Sequence, residues 1–274
     1  MIIPTILQLL CGILSVSSIL YQKRYNRIHR SIYGLSYDLY LYDILGHLIS
    51  LYCSINYKYS PLVRRQLANR YPLFYSNPHD IPISILLLLK DILMVYCDLL
   101  IFRQLYHYRT TKHIHQGISS TSTVLIIIFP VFTVFTFACS CLNLPIEDSG
   151  KFGIFYLDHI NYLWIIGNFF LTFKFIPQIS LNWMGLSTTG LSSKFVILNT
   201  LSNVTYLLIY YILSTTNLFS EQDLPFWKWP FNFKPIFVIC FQLLSLLFIL
   251  YQAQFLYIHS KNYLPKGKGS SSLF

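Results

Sequence analysis

The chain has 274 residues, 54% of them hydrophobic and only 11% charged, with a mean hydropathy of +0.52. A soluble globular domain carries roughly 25% charged residues, so this composition places the chain in a lipid bilayer and leaves no room for a separate soluble domain. Its net charge is +10, yet the basic residues are dispersed between apolar runs, which excludes the clustered basic face of a nucleic-acid binder.

Apolar runs near residues 2–20, 35–56, 81–102, 121–142, 153–175, 191–213 and 235–257 predict an all-α membrane protein of seven transmembrane helices, at roughly 20 residues per span. The runs are long and continuous rather than alternating over about ten residues, so helices and not a barrel are expected. The first lacks a basic leader and a small-residue exit and reads as a retained helix. Lys23, Arg24, Arg27 and Arg30 follow the first run, Arg103, Arg109 and Lys112 the third, and Lys261, Lys266 and Lys268 the seventh. All fall on one side, which predicts a cytosolic C-terminus and a lumenal N-terminus by the positive-inside rule. Pro61, Pro72 and Pro78, then Pro145, then Pro225 and Pro230 mark turns, and a disordered cytosolic tail is expected over 261–274. The six cysteines sit mostly inside the runs and read as small apolar residues. Asn203 opens a glycosylation sequon inside the sixth run, and His113 and His115 lack a third metal ligand nearby, so no metal and no cofactor are expected.

The segment Phe175-Ile176-Pro177-Gln178-Ile179 is followed by Asn182, Ser187, Gly190 and Ser192. The same frame occurs at Gln22, Asn26, Ser31, Gly34 and Ser36, with each residue 156 positions from its mate and no gap. Duplicated helix units of this kind build small secondary transporters. Two three-helix units share an orientation only if an odd span separates them, which divides the chain into a first repeat at 1–110, a linker helix at 111–150 and a second repeat at 151–260. No enzyme is expected. Pro177 removes a backbone donor and clashes one turn back, so the fifth helix ends or bends at Ile176, either as a hinge lined by freed carbonyls or as a plain terminus.

These motifs resemble the PQ-loop family, and within it the cystinosin group. The second motif runs Lys174-Phe-Ile-Pro177-Gln178-Ile-Ser-Leu-Asn182-Trp183 and on to Ser187, Gly190 and Ser192. The first runs from Gln22 through Asn26, Ser31, Gly34, Leu35, Ser36 and Tyr37 to Asp38, and Ser76-Asn77-Pro78-His79-Asp80 supplies a third match at the opening of helix three. Two departures stand out. Tyr21 replaces the first proline, which weakens or replaces that hinge. Asp43 stands where the group has asparagine, and its repeat mate Asn199 stands where the group has its proton-accepting aspartate.

The resemblance implies proton-coupled export of cystine, or of a related cationic or neutral amino acid, from a lysosomal, vacuolar or endosomal lumen. A non-transporting seven-helix sorting receptor is the other reading. Asp43 and Asp80 are the expected proton carriers; Asn26, Lys174, Asn182 and Asn199 the expected substrate contacts; Gln22, Pro177 and Gln178 the hinge and gate. An acidic residue within a membrane helix costs roughly 2.5–3.5 kcal/mol on insertion scales and normally serves a function, although Asp43 could instead be a structural partner of a Tyr or Asn. Lys174 could hold a substrate carboxylate, pair with Asp43 or snorkel to the interface; Asn26 and Asn182 could bond freed backbone. Asp80 could simply cap helix three, while His79 titrates in the range of an acidic lumen. Lys90, Asp91 and Asp98 lie in helix three outside the matched pattern and are expected to pair with other helices or line a wet path.

Overall fold

The computed structural model describes residues 2–75, 77, 81–141, 151–219, 229–258, 260 and 265. Nine α-helices occur among them: α1 (Ile2–His29), α2 (Tyr37–Tyr59), α3 (Pro61–Arg70), α4 (Ile85–His107), α5 (Ser120–Cys141), α6 (Tyr156–Phe173), α7 (Ile176–Gly185), α8 (Ser193–Phe219) and α9 (Ile236–Tyr251). Four stretches, Pro4–His29, Ser120–Cys141, Ser193–Thr215 and Ile236–Leu256, are long and apolar enough to cross a bilayer. The expected tail at 261–274, apart from residue 265, and the proposed Asp80 and His79 lie outside the described residues.

Many polar and charged residues are buried beside the apolar core, and many large apolar ones face outward. Gln22, Asn26, Asp43, Asp91, Asp98, Gln178 and Asn182 are buried, while Val131, Val134, Leu244 and Tyr211 face outward. In water such a surface would be an aggregation liability; against lipid tails it costs nothing. The molecule is a multi-pass membrane protein.

Two helix boundaries differ from the sequence expectation. The first apolar run was expected to end near residue 20, but α1 continues to His29, because Gln22 and Asn26 are buried and hydrogen-bonded rather than solvated at a helix end. The fifth run breaks at Lys174 and Phe175, just before Ile176, and resumes as α7 with Pro177 in its first turn. There the missing amide hydrogen is one of the orphans anyway, while the ring cannot follow a continuous turn above it. With Tyr21 in place of proline, α1 runs unbroken through the equivalent point. Helix α3 occupies a stretch read as a turn. Ser60 caps it, accepting from Val63 N at 3.4 Å, and Pro61 takes its first position, a start signal in the sequence that the neighbouring prolines obscured.

The packing repeats with the sequence. Helix α1 lies against α8 and α2 against α6; because the 156-residue offset makes α6–α7 the mate of α1, and α8 the mate of α2, these are one contact formed twice. Helix α4 packs on α1 and α2, α9 on α6 and α8, and α5 on α6. Small residues bring the paired backbones close. A Cβ on Gly46 would lie 2.6 Å from Leu171 and 3.2 Å from the Gly167 carbonyl. At the mated contact Ser202 Oγ and Ser15 Oγ are 2.8 Å apart, and Ser202 donates to the Cys11 carbonyl at 3.2 Å.

At the end carrying the α2–α3 connection, Arg70 of α3 donates to both carboxylate oxygens of Asp158, which also accepts from Phe155 N at 3.0 Å. Both partners are about one-third exposed, and exposed pairs contribute below about 1 kcal/mol. Arg70→Ala is therefore expected to move the thermal midpoint in detergent by only a few degrees; a large loss would mean that α3 is held chiefly through this contact.

Candidate functional site

The duplicated motif folds into two reciprocal clasps. Gln22 Nε2 donates to Asn26 Oδ1 at 2.8 Å and to the Gly190 carbonyl at 2.9 Å, and its Oε1 accepts from Ser192 N at 2.8 Å. Its mate Gln178 donates to Asn182 Oδ1 at 2.8 Å and to the Gly34 carbonyl at 2.8 Å, and accepts from Ser36 N at 2.8 Å. Each glutamine thus stands on one half and fastens the turn of the other. Behind them, Asn26 Nδ2 donates to Gln104 of α4 at 3.1 Å and Asn182 Nδ2 to Gln252, just past α9, at 2.9 Å. Asn26 and Asn182, two of the three asparagines expected at the substrate, are hydrogen-bonded within these clasps.

Local chain geometry explains why the turns meet. Arg30 and Leu186, again mates, leave their helices with φ of 50° and 47°, and the amides of Ser31 and Ser187 close back to the carbonyls of Asn26 and Asn182 at 3.2 Å each. Such left-handed C-terminal residues satisfy the helix's last carbonyls and turn the chain sharply. The turns then touch at Gly34, where φ is 75°, and Gly190, whose added Cβ would fall 2.1 Å from the Gly34 carbonyl carbon. Gln116 reinforces only the first turn, donating to the carbonyls of Ile32 and Leu35 at 2.7 Å each.

Deeper between the halves the symmetry of backbone contacts persists, but the charges differ. Lys174, at the α6–α7 break, donates to Asp43 Oδ1 at 2.9 Å with both side chains buried. Of its three readings, the structure has pairing. The mates of these residues, Ser18 and Asn199, form the equivalent neutral contact, Asn199 Nδ2 donating to Ser18 Oγ at 3.0 Å. An ion pair on one side is therefore answered by a hydroxyl and an amide on the other.

The pair extends along α2 and α4. His47 lies one turn beyond Asp43, with Nε2 at 3.3 Å from Asp43 Oδ1 and Nδ1 at 2.9 Å from Asp91 Oδ1. Asp91 also accepts from Ser50 Oγ at 3.1 Å and pairs with Lys90 at 2.9 Å. A cavity of about 30 Å³ lies beside Lys90 and Asp91, walled by Tyr57, Trp164, Asn168 and Lys234 among others. Lys234 reaches inward to Asn203 at 3.1 Å and Gln242 at 2.9 Å. Asp98 is buried on α4 between Cys97 and Ile101, which belong to an apolar cluster with Tyr40, Phe175 and Phe195, and neither its oxygens nor the Tyr40 hydroxyl bonds any described residue. Sequence reasoning gave His47 no role; its signal was the four-residue step from Asp43, which puts both on one face of α2.

Two clasped halves of a helical membrane protein, enclosing buried ion pairs, define the class. The sequence profile described as PQ loop repeat matches residues 160–219, the stretch holding most of α6 together with α7, the second clasp and α8. A Saccharomyces cerevisiae protein, the uncharacterised YCL002C, is 51% identical over 265 residues, covering 96% of this chain and 98% of its own length. The chain belongs to the PQ-loop family of membrane proteins, whose members are transporters or receptors.

Proposed function

We propose that the protein is a proton-coupled exporter of cystine or a closely related amino acid, working by alternating access in an acidic lysosome- or vacuole-like membrane. In this reading α1, α2 and α4 form one three-span bundle, α6–α7, α8 and α9 the other, and α5 the single linking span, seven spans in all. The N-terminus is lumenal and the C-terminus cytosolic. The reading rests chiefly on the twin clasp at Gly34 and Gly190. It closes the end rich in Lys and Arg, while the ion pairs and the small cavity lie deeper, towards the α2–α3 end. Release of both clasps and rocking of the bundles about the break at Lys174–Phe175 opens the closed end. Repeat interfaces of this type hold substrate near the bilayer midplane.

Within this scheme Gln22, Gln178, Asn26 and Asn182 form the gate, and Pro177 sets the hinge. Lys174 and Asn199 face the substrate, Lys174 taking a carboxylate when Asp43 gains a proton. Asp80 is the second proton carrier through its family match.

The test is uptake of radiolabelled cystine into proteoliposomes under an imposed pH gradient. Wild type is expected to show cystine flux together with proton flux. Asp43→Asn is expected to lose both, and Asp43→Asn combined with Asn199→Asp to recover them; full flux in Asp43→Asn defeats the assignment. Proton-linked flux of a cationic amino acid in place of cystine changes the substrate. Absence of any proton-linked flux favours a sorting receptor.

A further inference from the structure

His47, Lys90 and Asp91 belong to no part of the duplicated motif, yet they join the Lys174–Asp43 pair into a buried chain crossing from α4 through α2 to the α6–α7 break. A neutral imidazole has one N–H and one lone pair. His47 presents a ring nitrogen to a carboxylate on each side, at 2.9 Å from Asp91 Oδ1 and 3.3 Å from Asp43 Oδ1. Each carboxylate is also held by its own lysine, Lys90 and Lys174, at 2.9 Å. With a neutral ring and two ionised acids, one nitrogen lone pair would point at a carboxylate oxygen. The arrangement is satisfied only by one more proton, on the second ring nitrogen or on either acid.

We propose that Asp91, His47 and Asp43 form a proton relay that holds this extra proton and passes it between the cavity beside Lys90 and the Lys174–Asp43 pair. The relay deepens the proton-coupled reading and rests on it. A proton arriving on Asp91 moves to His47 Nδ1 as the Nε2 proton moves to Asp43 Oδ1; the ring ends neutral in the other tautomer, and Asp91 ends ionised. Asp43 loses its charge in that step, and its bond to Lys174 weakens. The groups facing the relay are Ser50 on α2, Lys90 on α4, Lys174 at the break, Tyr206 of α8 beside Lys90, and Lys234 and Lys90 at the cavity. Asp98 of α4 is near enough for its charge to act on Asp43. The cavity's volume of about 30 Å³ suffices for a water to deliver the proton, since about 10–15 Å³ is enough for one.

The test uses the full chain in lipid nanodiscs with ring-nitrogen-labelled histidine. NMR is expected to show one imidazole bearing both ring protons, or one N–H opposite a protonated acid, near neutral pH. The signal is expected to vanish in His47→Gln and to become a fixed neutral tautomer in Asp91→Asn, where the amide supplies the missing donor. Should His47→Gln fail to fold, Asp91→Asn alone assigns the signal by shifting it. A single neutral tautomer in wild type, with both acids ionised at every pH, overturns the relay. In proteoliposomes with radiolabelled cystine, Asp91→Asn is expected to slow proton-coupled uptake by at least about tenfold, on the scale of a lost proton-transfer group; an unchanged rate also overturns it. Wild type without cystine flux sinks the transport reading, while the NMR result still decides the relay.

Discussion

Lys174→Met is expected to destabilise the protein by about 3–5 kcal/mol, the scale measured when one partner of a buried ion pair is removed. Among the described residues Asp43 would then keep His47, at 3.3 Å, inside a site almost closed to solvent. The loss comes mainly from stranding a charge and only secondarily from the missing bond. The double variant Lys174→Met, Asp43→Leu should therefore recover most of the stability, since replacing a buried pair by apolar groups is often neutral or better. The mated contact supplies the control: Ser18→Ala removes a neutral hydrogen bond, worth about 1 kcal/mol. Thermal and chemical denaturation in a single detergent would compare the four proteins. Equal losses in the single and double variants would mean that the pair is not what stabilises the break.

Gly190→Ala is the second large effect. Its new methyl would lie 2.1 Å from the Gly34 carbonyl carbon, 2.2 Å from its oxygen and 2.6 Å from Leu35 N. These are backbone atoms held by the opposite clasp, so no side chain can rotate away. The expected cost exceeds the usual 1–3 kcal/mol of overpacking, which lowers the thermal midpoint by on the order of 10 °C at this chain length. Gly117→Ala is the matched control, because nothing lies within 4 Å of its added carbon; there the change should stay within about 0.5 kcal/mol. If the two alanines behave alike, the turns do not touch in the folded protein.

The duplication that underlies the clasp is legible in the sequence. The constant 156-residue offset marked Gln22, Asn26, Gly34 and Ser36 as counterparts of Gln178, Asn182, Gly190 and Ser192. The bonds from each glutamine to the opposite glycine carbonyl were not legible, because they join residues 168 and 144 positions apart, and a repeat carries no information on how its copies face each other. Asn26 and Asn182, as mated donors and acceptors, suit a zwitterionic substrate by residue type alone; their bonds to Gln22 and Gln104, and to Gln178 and Gln252, show only in the fold. Pairing with Asp43 is one of three roles the sequence leaves open for Lys174, and the structure has that pair; either residue unpaired in lipid would be costly. His47 escaped notice because a lone histidine in an apolar run is ambiguous until its second neighbour is known, and Asp91 comes from another helix. Helix α1 was read short for a related reason: hydropathy cannot separate a polar residue at a helix end from one buried and bonded within the helix.

The unbroken α1 and the divided α6–α7 differ in mechanical character. A continuous hydrogen-bonded rod spreads any bend over its whole length and resists it, whereas the gap at Lys174–Phe175 concentrates rotation in two residues. In the proposed transport cycle the first half would serve as a post and the second as a lever, the two copies of the repeat sharing the movement unequally. Lys174, held at that break, grips Asp43 of the first half, so under the proposed transport cycle the charge of a single carboxylate would be the catch on that movement.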